Sequence, residues 1–429
     1  MRALRVLPLT LGFLLVLPLA ASLATDWPQY RGPDQTGIST EKVSLRWPAE
    51  GPKTVWKVET NRGFSSFAVS GGQVFTQVIR EIDGAPREVC VALDAATGKE
   101  LWCTDVGIGK YDQGGDTGAP ENRGGDGPRS TPTVNDGRVY VTTQDLVLHC
   151  LDPQTGKELW KKDLIKDHAG RNIGWKSAAS AVIDGHLLFL GGGGPGQSLL
   201  ALHKKSAEVV WKAHDETITH STPTVATILG QRQVIFFLKS GLLSVSAQDG
   251  RALWRFPFDF RVSTAMSPVV SGDIVYCSAG YDVGGGACRI KKDGDQFTAE
   301  KLYMIPGNRE IPNHWSTPVC KDGHLYGMFS FKKFANGPLK CVELATGQVK
   351  WEQPGFGAGN VILVNDQILA LTDYGELVVV EPAPDAYKEL ARAKVLTGKC
   401  WSTPAFSDGR IYVRSTKEGA CVEVAGKYP

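Results

Sequence analysis

Cationic, histidine and tryptophan side chains recur at one position of this chain, just before copies of a repeated Ser-Thr-Pro phrase and its variants. Guanidinium and ammonium groups bind carboxylates, and indole rings stack on aromatic groups or cations. As a set, these residues predict a site for an anionic or aromatic ligand or for a peptide carboxylate. For any single one, packing against a neighbouring element or solvation is the competing interpretation. The set is Arg62, Arg123, Arg129, Trp175, Lys176, His220, Arg261, Asn313, His314, Trp315, Lys399 and Trp401.

Sequence motifs of common catalytic, nucleotide-binding and calcium-binding sites are either absent or lie in the wrong sequence context. The chain contains no Walker A sequence, no His-Glu-x-x-His and no Gly-x-Ser-x-Gly. Residues 191–196 match a dinucleotide-binding fingerprint, but a strand-like segment follows where that site needs a helix. Four acids between Asp112 and Asp126 lack the spacing of a calcium loop. We therefore expect no catalytic residues, no metal site and no resident cofactor.

The elements that must position the candidate residues appear as an internal repeat. The phrase Leu-Asp-Ala-Ala-Thr-Gly-Lys-Glu-Leu-Trp at residues 93–102 returns as Leu-Asp-Pro-Gln-Thr-Gly-Lys-Glu-Leu-Trp at residues 151–160. Its closing aromatic recurs every 43 to 58 residues, a period typical of a propeller blade. Alternating apolar residues and turn signals within each copy predict four short antiparallel strands. The aromatic positions are Trp56, Trp102, Trp160, Trp211, Trp254, Tyr303 and Trp351.

Counting the copies predicts an all-β fold, an eight-bladed β-propeller of four-stranded antiparallel blades. Eight first strands and eight third strands can be assigned, but only five residues follow Val424. Residues 54–59, in contrast, read as a fourth strand with no blade before it. We expect this N-terminal strand to complete the last blade and close the ring, which removes exposed sheet edges. We also expect the recurring aromatics to pack between blades, and the first-strand prolines to face the channel, where no N–H is needed.

Composition agrees with one large β domain and excludes some partners. The 429 residues include 49 glycines and 24 prolines, as many tight turns require. The formal charge of +2 equals the contribution of Arg2 and Arg5, so the remainder of the chain is electrically balanced. A balanced charge gives no indication of the positively charged surface that nucleic-acid binding requires.

Residues 1–24 are predicted to be a signal peptide. Two arginines precede an apolar run, and small residues at 22–24 suit cleavage before Thr25. The alternative, an uncleaved transmembrane anchor, has less support because the run is short and contains two prolines. We expect residues 25–429 to form a single propeller domain without a transmembrane segment, exported to the periplasm or the extracellular space.

The nine cysteines suggest two cross-strand disulfides. Cys90 and Cys103 lie symmetrically about the turn at residues 94–99, and Cys277 and Cys288 flank the turn at residues 281–285. The odd count leaves at least one free thiol, and a small buried residue is the competing interpretation for most of the nine.

The repeated phrases resemble those of the pyrroloquinoline-quinone-like (PQQ-like) propeller family over roughly residues 50–425. The segment Asp-Trp-Pro-Gln-Tyr-Arg-Gly-Pro at residues 26–33 resembles the N-terminal signature of exported members abundant in planctomycete-type bacteria. The resemblance implies the fold more than the activity. Its repeats are shared by quinoprotein dehydrogenases and by a non-enzymatic propeller of the outer-membrane β-barrel assembly machinery.

The resemblance therefore allows two functions. Quinoprotein alcohol dehydrogenases resembling this fold carry adjacent cysteines beside the quinone and a Glu/Asn/Asp set around Ca²⁺, whereas this chain has no Cys-Cys pair. The preferred hypothesis is an exported, non-catalytic, monomeric binding or assembly scaffold with its partner protein or ligand at the channel mouth. The alternative is a dehydrogenase of alcohols or sugars that uses PQQ with calcium. The long insertion at residues 110–128 is expected to overhang the mouth as a lid or a partner contact.

Overall fold

Eight four-stranded antiparallel sheets make up the computed structural model, which describes residues 25–111, 127–259 and 262–424. The first strands of neighbouring blades contact one another, as the innermost strands of a ring must. This arrangement confirms the predicted eight-bladed β-propeller. The segment after residue 196 is a strand, so the glycines at 191–196 join two strands of one blade.

The strands are numbered in chain order and grouped by blade. The N-terminal strands are β1 (Ile38–Ser39) and β2 (Lys53–Glu59). Blade 1 has β3 (Ala68–Ser70), β4 (Gln73–Ile82), β5 (Ala85–Asp94) and β6 (Glu100–Ile108); blade 2 has β7 (Thr133–Asn135), β8 (Arg138–Thr142), β9 (Val147–Leu151) and β10 (Glu158–Asp163), followed by the short helix α1 (Leu164–His168). Blade 3 has β11 (Val182–Asp184), β12 (Leu187–Gly191), β13 (Leu199–His203) and β14 (Val209–Ala213); blade 4 has β15 (Thr224–Ile228), β16 (Gln231–Leu238), β17 (Gly241–Ser246) and β18 (Ala252–Pro257).

The second half of the ring follows the same order. Blade 5 has β19 (Val269–Ser271), β20 (Ile274–Ala279), β21 (Gly284–Asp293) and β22 (Gln296–Ile305); blade 6 has β23 (Val319–Lys321), β24 (His324–Met328), β25 (Leu339–Glu343) and β26 (Val349–Gln353). Blade 7 has β27 (Asn360–Val364), β28 (Gln367–Leu371), β29 (Glu376–Val380) and β30 (Glu389–Lys394), with β1 added in parallel to β27. Blade 8 has β31 (Ala405–Ser407), β32 (Arg410–Arg414) and β33 (Glu418–Glu423), completed by β2.

The N-terminal strand closes the ring as predicted. Strand β2 pairs antiparallel with β33, from Lys53 opposite Glu423 to Glu59 opposite Glu418. The buried Arg414 strengthens the same junction, since its guanidinium donates to the carbonyls of Asn61 and Gln77 in blade 1. Burial lowers the pKa of Arg414 to about 9. The two ends of the chain are thus joined by a sheet ladder and by a buried cation.

Every fourth strand contains a bulge at the same place in the repeat. In each blade the strand register shifts by one residue, and the extra residue precedes the recurring aromatic position. In blade 1 the extra residue is Leu101, which is exposed, whereas Trp102 after it is buried. A bulge re-aims the side chain that follows it. It therefore turns the aromatic toward the next blade.

The aromatics pack between blades, as expected. The Trp102 indole N–H donates to Pro153 O of blade 2 at 2.8 Å, and its ring lies against Gly156. Gly156 has φ +70°, and a Cβ there would lie 2.6 Å from the indole. Trp56 and Gly98 repeat this contact across the junction of blades 8 and 1. The turn glycine is thus required both for the positive φ of its own turn and for the space that the neighbouring indole occupies.

Residues 26–41, here called the N-terminal plug, cross the channel and bond to the inner edges of several blades. Trp27 pairs with Val69 of blade 1, and Gly37 O accepts from Leu363 of blade 7 at 2.8 Å. Arg31, 3% exposed, donates to Thr317 O and Pro318 O of blade 6 at 2.7 and 2.8 Å. Burial lowers the pKa of Arg31 to about 10. Further bonds reach blades 2, 4 and 8.

Neither predicted disulfide is formed, and all nine cysteines are free. The bulge at Leu101 shifts the register so that Cys90 faces Thr104 and Cys103 faces Val91, which puts the two thiols on opposite faces of the sheet. In blade 5, Cys277 is opposite Gly286, so Cys288 is its diagonal neighbour. Diagonal Cβ atoms are too far apart for a disulfide without backbone movement.

The predicted signal peptide, residues 1–24, lies outside the described residues. Within the described part of the chain, no helix is both long and apolar enough to span a bilayer.

Candidate functional site

A cavity of about 630 Å³ opens at the mouth of the channel. Its walls come from loops that enter first strands and from loops that join second to third strands. Both kinds of loop lie on one face, because neighbouring strands of a blade are antiparallel. Six predicted site residues line the cavity: Arg129, Trp175, His220, His314, Trp315 and Trp401.

Stacked rings, here called the aromatic wall, border the cavity: Phe64, Trp315, Phe334 and Trp401 line it, and Phe331 joins the stack through Trp315. The indoles of Trp315 and Trp401 stack with centroids 4.9 Å apart and planes at 23°. Phe64 stacks on Trp401 at 4.9 Å, and Phe331 stacks on Trp315 at 5.5 Å. Phe334 is 40% exposed and stacks against both indoles. The wall offers stacking surface to a planar group.

A guanidinium also lines the cavity. Arg129 donates to Trp175 O, and its guanidinium carbon lies 5.1 Å from the Tyr111 ring centroid. The neighbouring Lys176 does not line the cavity and pairs with Asp145 at 3.0 Å. Both cations therefore have partners within the protein. Arg129 is held in place by neighbouring groups, as a pre-organised binding cation would be.

A buried carboxyl group, that of Glu88, interacts with Arg129. Glu88 is 1% exposed, and it accepts hydrogen bonds from the Tyr111 O–H and from the Gln144 N–H. Burial raises the pKa of Glu88 to about 7, against the opposing effects of these hydrogen bonds and of Arg129. The carboxyl group therefore titrates near neutrality and shares its surroundings with Arg129.

Two lining histidines are neutral at pH 7. Burial lowers the pKa of His314 to about 3, and nearby Lys332 acts in the same direction. Burial likewise lowers the pKa of His220 to about 3, with Arg129 and His314 contributing. His314 Nδ1 accepts the Gly280 N–H at 3.1 Å, so its proton lies on Nε2. These imidazoles offer hydrogen bonds without positive charge.

A ring of hydroxyl groups and the N-terminal plug form the floor. The Ser66 N–H donates to Thr131 Oγ1, the Thr131 N–H to Ser180 Oγ, and the Ser180 N–H to Thr222 Oγ1, from blade to blade. Tyr30 of the plug also lines the cavity. Other plug residues line a second cavity of about 480 Å³, so the plug separates two cavities.

The other predicted site residues lie elsewhere. Asn313 is fully buried, where its N–H donates to Ser278 Oγ at 2.7 Å and its Oδ1 accepts from Ser316. It therefore fixes the turn that leads to His314 and Trp315. Arg62 and Lys399 are not among the lining residues. Arg123 and Arg261 lie outside the described residues, as do residues 112–126 of the predicted lid.

Several lining residues were missed from the sequence: Tyr30, Phe64, Tyr281, Lys332 and Phe334. Lys332 lies 4.9 Å from the Tyr281 ring centroid and 5.1 Å from that of Phe331. The signal that could have found this group is the aromatic and basic run at residues 331–334, in an unusually long loop between a second and a third strand. Such loops share the face of the loops that enter first strands.

The donor set of the cavity does not fit a calcium-bound quinone. The described lining residues include no carboxylate. In residues 25–111, 127–259 and 262–424, no group of three or more His, Cys, Asp or Glu side chains could hold a metal ion. Calcium prefers carboxylate and carbonyl oxygens. What the described residues offer is stacking surface, a guanidinium and neutral hydrogen-bonding groups.

Comparison with known proteins places these features in a family. The family described as outer membrane protein assembly factor BamB matches residues 85–300, half of the chain. BamB of Yersinia pestis is 22% identical over 306 residues, which cover 66% of this chain and 73% of the relative. Quinohemoprotein alcohol dehydrogenase of Comamonas testosteroni is 29% identical over 271 residues, 58% of this chain but only 36% of that enzyme.

A solved structure agrees on the fold. Quinohemoprotein alcohol dehydrogenase ADHIIG of Pseudomonas putida HK5 superposes with a TM-score of 0.61 at 13% identity, covering 94% of this chain and 81% of the enzyme. At this identity the likeness concerns the fold alone. Together with the repeats, the family match over half of its length shows that the chain belongs to the PQQ-like β-propeller family.

Proposed function

We propose that this protein is an exported, non-catalytic binding scaffold whose channel mouth captures a group that combines an aromatic ring with a carboxylate. The observation that carries the proposal is the cavity of about 630 Å³, whose lining includes residues of the aromatic wall as well as the guanidinium of Arg129. Aromatic stacking contributes about 0.5–1.5 kcal/mol, and a hydrogen bond to a charged group about 1.5–3 kcal/mol. An aromatic residue at the C-terminus of a partner protein would supply both groups.

The electrostatics favour an anion over a cation. Arg129 and Lys332 line the cavity, whereas the described lining has no carboxylate. The two histidines remain neutral at pH 7, so the imidazoles add hydrogen bonds and no charge. A carboxylate can therefore bind with a guanidinium on one side and neutral donors around it.

The relatives support a scaffold in the cell envelope. The matching family is described as an outer membrane protein assembly factor, and the relatives of that name match over much of their length. The proposed signal peptide, residues 1–24, is consistent with export to the periplasm or beyond. The alternative, a quinone-dependent dehydrogenase, rests on a relative of which the chain covers 36%, and the described lining lacks carboxylate ligands for calcium.

The proposal is tested with residues 25–429 and two probes that differ in one charge, N-acetyl-tryptophan and N-acetyl-tryptophan amide. Isothermal titration calorimetry should detect the acid and show the amide at least about tenfold weaker, since the lost charge-assisted bond is worth 1.4 kcal/mol or more. Arg129→Gln should remove most of this difference. Lys176→Gln is the matched control, because Lys176 is a neighbouring cation outside the lining, and it should keep the difference.

Two results would contradict the proposal. One is equal affinity for the acid and the amide, which would remove the role of the carboxylate. The other is an absence of binding of both probes at millimolar concentration, which would remove the ligand class.

A further inference from the structure

We infer that Asp373 is the positioning residue of the aromatic wall, an inference that rests on the binding function proposed above. Phe331 and Phe334 belong to the loop between β24 and β25, here called the mouth loop, residues 329–338. Asp373 lies in the next blade, in the turn between β28 and β29. It reaches across the blade boundary to hold this loop, and thereby sets where the stacking surface lies.

The contact is a pair of hydrogen bonds to one carboxylate oxygen. Asp373 Oδ2 accepts the Ala335 N–H at 2.9 Å and the Ala358 N–H at 3.1 Å. Ala335 directly follows Phe334, so the bond fixes the backbone that carries this ring. Asp373 is 8% exposed, and removing its carboxyl group would leave two backbone N–H groups without their acceptor.

The surrounding backbone is shaped to admit this carboxyl group. Gly357, with φ +67°, passes so close that a Cβ there would lie 2.2 Å from the carboxylate. The N–H groups of Phe356 and Gly357 both donate to Gly337 O at 2.9 Å. The mouth loop is thus tied by its own carbonyl to the segment that enters blade 7, and by the Asp373 side chain to blade 7 itself.

The mouth loop needs this support because its conformation is strained. Lys332 and Ala335 have φ values of +55° and +57°, a region that L-residues adopt at a cost. Phe334, moreover, is 40% exposed, so its burial contributes little. Without Asp373, we expect the loop to relax and Phe334 to leave its stack on Trp401, whose planes are now within 12°.

Asp373 Oδ1 indicates which replacement should preserve the wall. This second oxygen is buried and has no hydrogen-bond partner within the described residues. Asp373→Asn keeps one carbonyl oxygen for both N–H groups and places the amide nitrogen where no bond is lost. Asp373→Ala removes the acceptor. Comparing the two variants therefore distinguishes loss of the hydrogen-bond acceptor from loss of the negative charge.

The test measures hydrogen–deuterium exchange of the mouth loop, the circular dichroism signal of the stacked indoles, and the affinity for N-acetyl-tryptophan. Asp373→Ala should speed exchange at Ala335 and diminish the indole signal, and it should weaken binding about tenfold, the effect of about 1.4 kcal/mol. Asp373→Asn should retain the wild-type behaviour in all three. Exchange and dichroism need no ligand, so they test Asp373 even if the probe does not bind.

Asp94→Ala is the matched control for a merely structural role. Asp94 also accepts two backbone N–H groups, those of Ala96 and Thr97. It lies in the turn between the third and fourth strands of blade 1, whereas the mouth loop joins the second and third strands of blade 6. This variant should lower the melting temperature without changing exchange at Ala335 or affinity. Unchanged exchange in Asp373→Ala, or equal losses in Asp373→Asn and Asp373→Ala, would overturn the inference.

Discussion

Tryptophan is used in two different ways in this molecule. Between blades, Trp102 is buried, follows a bulge, and donates its N–H to a carbonyl of the next blade. At the mouth, Trp315 and Trp401 are partly exposed and stack on each other. The first arrangement recurs around the ring, and the second occurs in one sector. Tryptophans that recur with the repeat thus belong to the scaffold, whereas tryptophans outside the repeat pattern form the surface available for binding.

The largest expected effect concerns ring closure. Deleting residues up to Glu59 removes the plug and β2, and it exposes the edge of β33. Loss of the buried Trp56 alone should cost about 3–5 kcal/mol, and the exposed edge favours aggregation. A chain that starts at Thr25 is the reference. Equal urea midpoints for the two chains would show that β2 contributes nothing to closure.

The second prediction contrasts the two kinds of tryptophan directly. Trp102→Ala should lower the free energy of unfolding by about 3–5 kcal/mol, because it empties a packed blade boundary. Trp401→Ala should change it by about 1 kcal/mol at most, yet weaken binding of N-acetyl-tryptophan. Chemical denaturation and calorimetry measure the two quantities. If both variants lost the same stability, the distinction between scaffold and site would fail.

The third prediction compares how stability depends on pH through two carboxyl groups, Glu88 near the mouth and Asp94 in a repeat turn. Burial raises the folded-state pKa of Glu88 to about 7 from an ordinary value of 4.5, so the folded state retains a proton that the unfolded state has released. Stability from this group is therefore complete below pH 4.5, is lost as pH rises to about 7, and is constant above that. The full change is about 3 kcal/mol.

Glu88→Gln should remove this slope from urea unfolding measured between pH 4.5 and 8. The repeat carboxylate Asp94 has the opposite sign, because its hydrogen bonds with Thr97 lower its pKa. Its contribution is lost only in acid, as pH falls below the ordinary value. A wild-type stability that rises between pH 4.5 and 7, with the same rise in Glu88→Gln, would contradict the assignment.

The smallest expected effect concerns the turn glycines. Gly156→Ala combines a positive φ with a Cβ 2.6 Å from Trp102, whereas Gly137→Ala has a positive φ and nothing within 4 Å. Backbone strain alone costs roughly 1 kcal/mol, and forced overpacking adds about 1–3 kcal/mol. Gly156→Ala should therefore be the more destabilising by about 2 kcal/mol in thermal unfolding. Equal losses would mean that the glycine serves its own turn alone.

The repeat made the fold predictable from the sequence, and its exceptions were not predictable. Eight copies of one pattern and one surplus strand at residues 54–59 were enough to predict closure. The Cys90–Cys103 pairing failed because the bulge at Leu101 shifts the register by one residue, and nothing in a symmetric turn reveals this. The plug and the mouth loop occur once each, so no period identifies them. Arg31, for example, looks like a surface arginine in the sequence and is buried by distant blades.

The pairing of β2 with β33 sets the order in which the molecule can be completed. These strands are separated by almost the whole chain, and contacts of such long range slow folding. A ribosome delivers residues 53–59 well before residues 418–423, so the ring stays open until β33 has been made. During that interval Trp56 and two unfinished sheet edges are available to other chains. The same pairing that stabilises the finished ring therefore leaves the growing chain exposed to aggregation until it forms.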